Sequence, residues 1–279
     1  MAFPEEYRLE LFPPRDAWNS HVQPTAWTNA ILLHLRKIER TKAGFALLHN
    51  IQSKAFWIKV LPTEFGFCKA QGLAFPREIN QTKNRTYQGL VFFDPNNYEK
   101  DSACYRRKNR GKNNRGFLPD EVLFHELLHA YRGSLRLSLN KSMPRVQLIH
   151  EPVHANRGSP GSSLEDKPEF MQGGLSRYGW EEEFLAVVLT NIYISDPTNL
   201  SKSGLRRDWT GGVPLEKRFS NSLSFFQSST QVLPLLRLFQ LQQPDLFMSL
   251  AEVEALFNPL HAMVHHPACL LYTSDAADE

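Results

Sequence analysis

The chain has 279 residues, a formal net charge of +3, 22% charged residues and 42% hydrophobic residues. That composition suits one globular domain or at most two, and it is too mildly basic to imply nucleic acid. No run approaches the roughly eighteen uninterrupted apolar residues of a membrane helix. Cys68, Cys104 and Cys269 lack C-x-x-C spacing, which speaks against a disulfide framework or a thiolate metal site.

The opening MAFPEEYRLELFPPRDAW carries Glu5 and Glu6 and no apolar h-region. No secretory signal is therefore expected: the protein is cytoplasmic, or leaves the producing cell by a non-classical secretion system. Residues 1–22, rich in proline and polar groups, are expected to be irregular. Apolar residues at helical spacing predict a helix over Thr25–Glu39 and a second, shorter one around Ala46–Ile51. AFWIKVLP (55–62) and GLVFFDP (89–95) read as strands, the second stopped by Asp94-Pro95-Asn96-Asn97. GLVFFDP is read two ways, as an edge strand against which an extended peptide lies or as a core strand. The basic stretch at 105–116, YRRKNRGKNNRG, reads as a solvated loop rather than a phosphate site.

Pro119, Asp120 and Glu121 open a helix running to about Leu137. Its Phe124, Leu128, Tyr131 and Leu135 form a core-facing stripe, whereas the stripe of Leu123, Leu127 and Ala130 is interrupted at Ser134. Residues 144–178, centred on NRGSPGSSLEDKP, form a flexible loop or a lid. Trp180–Ser195 is strongly helical, and Phe219–Met263 offers two or three amphipathic helices. The clearest of these is QQPDLFMSLAEVEALF, with Pro244 at its start. The last eleven residues, CLLYTSDAADE, resemble translated sequencing-adapter bases, so 269–279 is read as a non-native tail.

The pattern H-E-x-x-H occurs twice, as HELLH from His125 to His129 and as HEPVH from His150 to His154. Two histidines at i and i+4 share a helix face at the separation one zinc ion needs, and the glutamate between reaches a water rather than the metal. HELLH satisfies the helical condition, because its variable positions are leucines and its flanks continue the period. HEPVH does not: Pro152 donates no N–H, its ring clashes with the carbonyl of Leu148 in a continuous helix, and Glu151 is pushed out of the helical region.

A catalytic zinc takes three protein ligands and keeps one open position. A histidine in extended H-E-x-x-H-x-x-G-x-x-H spacing is absent, since Arg132 and Leu135 occupy the relevant positions. A carboxylate from the apolar helix RYGWEEEFLAVVLTNIYISD is the alternative. That helix is buried behind its first turn, so at least one of Glu181, Glu182 and Glu183 is expected to point inward and to need a partner.

HELLHA followed by EEFLA resembles gluzincin-type zinc peptidases, in several families of which the ligand glutamate stands in an E-x-x-A arrangement. Glu183-Phe184-Leu185-Ala186 fits that spacing; Glu182, which does not, is the alternative ligand. More specifically, HELLHAYR paired with EEEFLAVVLTNIYISD resembles the NleD-like family of bacterial effector zinc metallopeptidases and related toxin domains. The FNP at Phe257-Asn258-Pro259 and the helix-then-strand at 25–62 are also similar, so the resemblance spans residues 25–262. It implies an α+β, zincin-like fold: a small mixed sheet packed on the HExxH helix, with a mainly helical C-terminal part. The divisions expected are a core over 23–215 and a helical part over 216–268. It further implies one Zn²⁺ on His125, His129 and Glu183, with Glu126 as general base and Tyr178, Tyr193 or His154 as oxyanion partner. A protein or peptide substrate, a monomer, and no membrane or nucleic-acid partner are expected. The alternative is a non-catalytic, zinc-stabilised protein-interaction module, which would owe nothing to Glu126.

Overall fold

The N-terminal third of the chain supplies two helices and all four strands of the described sheet. The computed structural model describes residues 3–13, 23–63, 70–74, 85–99, 102, 118–137, 181–200, 204–205, 225–226 and 232–266. The basic stretch at 105–116, the segment 144–178 with HEPVH, the tail 269–279 and all three cysteines lie outside them. The described strands are β1 (Leu9–Leu11), β2 (Trp57–Leu61), β3 (Gln71–Ala74) and β4 (Tyr87–Phe92). The described α-helices are α1 (Pro24–Glu39), α2 (Lys42–Gln52), α3 (Pro119–Ser134), α4 (Glu181–Ser195), α5 (Val232–Gln242), α6 (Pro244–Ala251) and α7 (Pro259–His265). The architecture is α+β, with one small mixed sheet. No described helix is long and apolar enough to cross a membrane.

The sheet order is β1-β2-β4-β3, with β1, β2 and β4 parallel and β3 antiparallel at one edge. Two expectations need correction here, and the choice between the two readings of GLVFFDP is decided for the core strand. The N-terminal segment is not irregular throughout: Leu9–Leu11 pairs with Ile58–Val60, and Leu9 is fully buried. A three-residue strand is too short to show alternation, and only its distant partner stabilises it. GLVFFDP lies inside the sheet, because β3, which no strand signal announced, takes the edge position beside it. QGLA contains no β-branched residue, so its conformation is set by its hydrogen bonds to β4 and its packing on α3. Finally, the helix begun at Pro244 stops at Ala251 instead of continuing through Phe257. Asn258 ends it by donating to the carbonyls of Leu250 and Val253 at 2.8 and 2.7 Å, and it accepts from the His261 N–H to start α7.

α3 is the central element, lying along β3 and β4 on one side and against α1 and α4 on the other. Its start is closed by Glu121, whose Oε2 accepts the Leu118 N–H at 2.9 Å, with Pro119 at the first position. Both of its apolar stripes are buried, since Leu123, Leu127 and Ala130 are as inaccessible as Phe124 and Leu128. Ser134 does not interrupt the stripe: its hydroxyl donates to the Ala130 carbonyl and the residue stays buried. Two glycines let the helix approach the sheet. A Cβ on Gly72 would stand 1.9 Å from the Glu126 carbonyl oxygen, and one on Gly89 would stand 2.7 Å from Ser134 Oγ.

α4 packs antiparallel to α3, as the contacts of its first turn with His129 and of Tyr193 with Phe124 require. Its C-terminal Asp196 caps another helix, accepting the Ala43 N–H of α2 at 2.9 Å. α5–α7 share the same hydrophobic core, through Leu236, Phe239, Phe247, Leu250 and Leu260.

Candidate metal centre

α3 presents His125 and His129 one turn apart on the face that meets the first two turns of α4, which places both imidazoles against Glu183. His129 Nε2 lies 3.1 Å from His125 Nε2 and 3.2 Å from Glu183 Oε2, and His125 Nε2 lies 3.4 Å from that same oxygen. Glu183, the third ligand that the resemblance implies, thus lies against both histidines. Ala186 is fully buried. Among the described residues these three form the one group of histidine, cysteine and carboxylate side chains able to hold a metal ion.

The donor set fits a tetrahedral ion. Bonds of about 2.0–2.1 Å to each atom space the ligand atoms roughly 3.3–3.4 Å apart. The observed triangle of 3.1, 3.2 and 3.4 Å is close to one face of that tetrahedron. His125 is 2% exposed, and the His129 and Glu183 side chains are 16% and 18% exposed. His129 and Glu183 thus keep part of their side-chain surface accessible.

Glu182 has a different task from its neighbour. Its carboxylate takes a two-point contact from Arg132, with Nε to Oε1 at 2.8 Å and Nη2 to Oε2 at 3.1 Å. Arg132 is fully buried. Its remaining donors reach the Gln243 side chain at 2.5 Å and the Leu137 carbonyl at 3.0 Å, and its guanidinium lies over the Phe239 ring. Glu182 is the inward glutamate that the apolar helix required, and Arg132 is the partner it needed. The same carboxylate stands 3.8 Å from His129 Nδ1, on the side of the ring away from the metal triangle. Burial opposes ionisation of Glu182, but contact with His129 and the Arg132 charge hold its carboxyl down at about 2. Burial also works against a charged His129, yet Glu182, Glu183 and Glu126 together hold that imidazole well above its ordinary range.

Glu126 sits on α3 between the two histidines, and its Oε2 accepts the Gly72 N–H of β3 at 2.7 Å. The edge strand therefore fixes the direction of that carboxylate. His125 is held from behind by Thr190, whose Oγ1 lies 3.1 Å from Nδ1.

Of the three oxyanion candidates, Tyr178 and His154 lie outside the described residues, and Tyr193 is placed elsewhere. Its hydroxyl donates to Asp120 Oδ2 at 2.8 Å, its ring stacks on Phe124, and it is fully buried about 15 Å along α4 from Glu183. Thr190, Arg132, Gln243 and Gly72 escaped the sequence reading. Thr190 carried a usable signal, because it follows Glu183 and Ala186 at helical spacing on one face. Arg132 stands within HELLHAYR itself. Gly72 and Gln243 had none.

Compared with known proteins, the chain matches no family model, no curated protein and no solved structure.

Proposed function

We propose that the protein is a zinc-dependent peptidase with a zincin-like fold, hydrolysing a protein or peptide by means of an activated water. The observation that carries this reading is the triangle of His125, His129 and Glu183 ligand atoms, with Glu126 on the same helix one residue from the first ligand. Two imidazoles and one carboxylate are the donor set of a catalytic zinc site. Bound zinc would polarise the scissile carbonyl and bring the acidity of water near neutrality. Glu126 takes the proton of the attacking water and returns it to the leaving amine. The Gly72 N–H holds one oxygen of that carboxylate, so the ring of atoms around the proton transfer is oriented before substrate arrives. β3, antiparallel at the edge of the sheet and lying along α3, is the strand on which an extended substrate would align by backbone pairing. Sheet order, edge strand and helix placement support the zincin-like reading. A role as a bacterial effector or toxin rests on the motif resemblance alone.

The substitution Glu126→Gln tests the mechanism. The variant keeps the Gly72 hydrogen bond and one equivalent of zinc, while hydrolysis of a protein or peptide-library substrate falls by about 10²–10⁴. Retained zinc with undiminished hydrolysis removes Glu126 as the base. A wild-type chain that takes up no zinc from a zinc-replete medium overturns the whole reading. Zinc bound without hydrolysis in the wild type points to the interaction module.

A further inference from the structure

We propose that Thr190 is the positioning residue that fixes the tautomer of His125, and so decides which of its nitrogens can bind the metal. The inference rests on the zinc reading above and concerns a residue that contributes no ligand atom. Thr190 is fully buried on α4, seven residues after Glu183 and on the same helical face. Its hydroxyl lies 2.7 Å from the Ala186 carbonyl oxygen and 3.1 Å from His125 Nδ1. A carbonyl oxygen only accepts, and a hydroxyl has one hydrogen. At 2.7 Å that hydrogen is committed to Ala186, since two oxygens so close with none between them repel. Thr190 Oγ1 therefore meets His125 as an acceptor, and Nδ1 must carry the ring hydrogen. Nε2 then holds the lone pair, and Nε2 is the atom 3.1 Å from His129 Nε2 and 3.4 Å from Glu183 Oε2.

The relay runs from a backbone carbonyl of α4 through one hydroxyl to a ligand of α3. It needs a side chain at that position which accepts while its own hydrogen is engaged elsewhere. Valine has nearly the same shape and offers no acceptor. With valine, Nδ1–H loses this acceptor, and the other tautomer, with hydrogen on Nε2, would compete for the site. His129 is served separately, by Glu182 on its Nδ1 side, so the two ligands are oriented by independent contacts. Loss of one such outer contact weakens metal binding by about 10–100-fold.

The test uses the full chain in two measurements. In the first, long-range ¹H–¹⁵N spectra of the zinc-free wild type, with His125 assigned by its absence in His125→Gln, report which ring nitrogen carries hydrogen. Hydrogen on Nδ1 is expected; hydrogen on Nε2 overturns the proposal whatever the metal does. In the second, zinc affinity is measured by chelator competition for wild type, Thr190→Val and Thr190→Ser. Thr190→Val is expected to bind about 10–100-fold more weakly, and Thr190→Ser, which restores the acceptor, to recover to within about threefold of wild type. Equal affinity of Thr190→Val and wild type overturns the proposal, as does a Thr190→Ser variant no better than Thr190→Val. If Thr190→Val does not fold, Thr190→Ser and the wild-type spectra still decide. Absence of zinc binding by the wild type defeats the peptidase reading instead, and the ring spectra then judge Thr190 alone.

Discussion

Adjacent glutamates at the start of α4 carry the same side chain into different chemistry. Glu183 Oε2 faces two imidazole nitrogens at 3.2 and 3.4 Å, whereas Glu182 closes on a fully buried guanidinium. Removing either should therefore fail in a different way. Glu183→Ala takes away a ligand, and the expected outcome is loss of stoichiometric zinc in metal analysis with the unfolding midpoint of the zinc-free chain nearly unchanged. Glu182→Ala leaves Arg132 buried without its carboxylate. Breaking a buried pair from one side costs about 3–5 kcal/mol, so urea unfolding should show a loss of that size. A Glu182→Ala chain as stable as wild type would show that Gln243 and the Leu137 carbonyl suffice for Arg132.

At the scale of elements, the contact between β3 and α3 couples the sheet to the site. Gly72 permits it, because any Cβ there would meet the Glu126 carbonyl oxygen at 1.9 Å and its carbon at 2.8 Å, atoms of the helix backbone that cannot turn aside. Gly72→Ala must push the edge strand off the helix, and the Gly72 N–H moves with it, away from the Glu126 carboxylate. The expected cost is about 1–3 kcal/mol of overpacking in denaturant unfolding, together with a fall in hydrolysis and unchanged zinc content. Loss of stability with full activity would separate β3 from the alignment of Glu126. The α3–α4 contact combines the polar contacts of the site with an apolar one, Phe124 stacked on Tyr193 with centroids 4.5 Å apart.

Across the whole molecule, one histidine outside the metal centre links stability to pH. His34 of α1 is buried near the start of α3, with Nδ1 3.9 Å from Asp120 Oδ1 and no hydrogen-bond partner among the described residues. Lys37 Nζ and the Tyr193 hydroxyl already attend that carboxylate. Burial, helped by the Lys37 charge and opposed by Asp120, pulls the His34 imidazole down to about 4 from an ordinary 6.5. A folded value below the unfolded one means that the unfolded chain takes the proton first. This contribution is therefore complete above pH 6.5 and is lost as pH falls through about 4. The shift corresponds to on the order of 3 kcal/mol. Urea midpoints of wild type and His34→Gln, compared at pH 7 and pH 4.5, should diverge from each other in that window, with the wild type falling further. Parallel pH dependence of the two would show that His34 titrates normally in the folded chain.

Much of this was legible in the chain before any coordinates. Helical period placed α1, α2, α3 and α4 to within a few residues, because each is long and amphipathic or wholly apolar, and such elements are defined by local interactions. The HELLH spacing sets His125 and His129 on one face, and the resemblance to gluzincin-type peptidases, through E-x-x-A, favoured Glu183 over Glu182; Glu183 lies against both histidines. What local pattern could not supply was anything decided by a distant partner. β1 and β3 are short strands made by pairing, Tyr193 belongs to Asp120 rather than to the site, and Arg132, Thr190 and Gln243 acquire their roles only when α3, α4 and α6 meet. The sequence by itself determined which two imidazoles could bind a metal together, since two histidines one turn apart share a face by helix geometry alone. Only the tertiary structure decided how each ligand is held, because a hydrogen bond across 65 residues exists only once burial has put donor and acceptor beside each other.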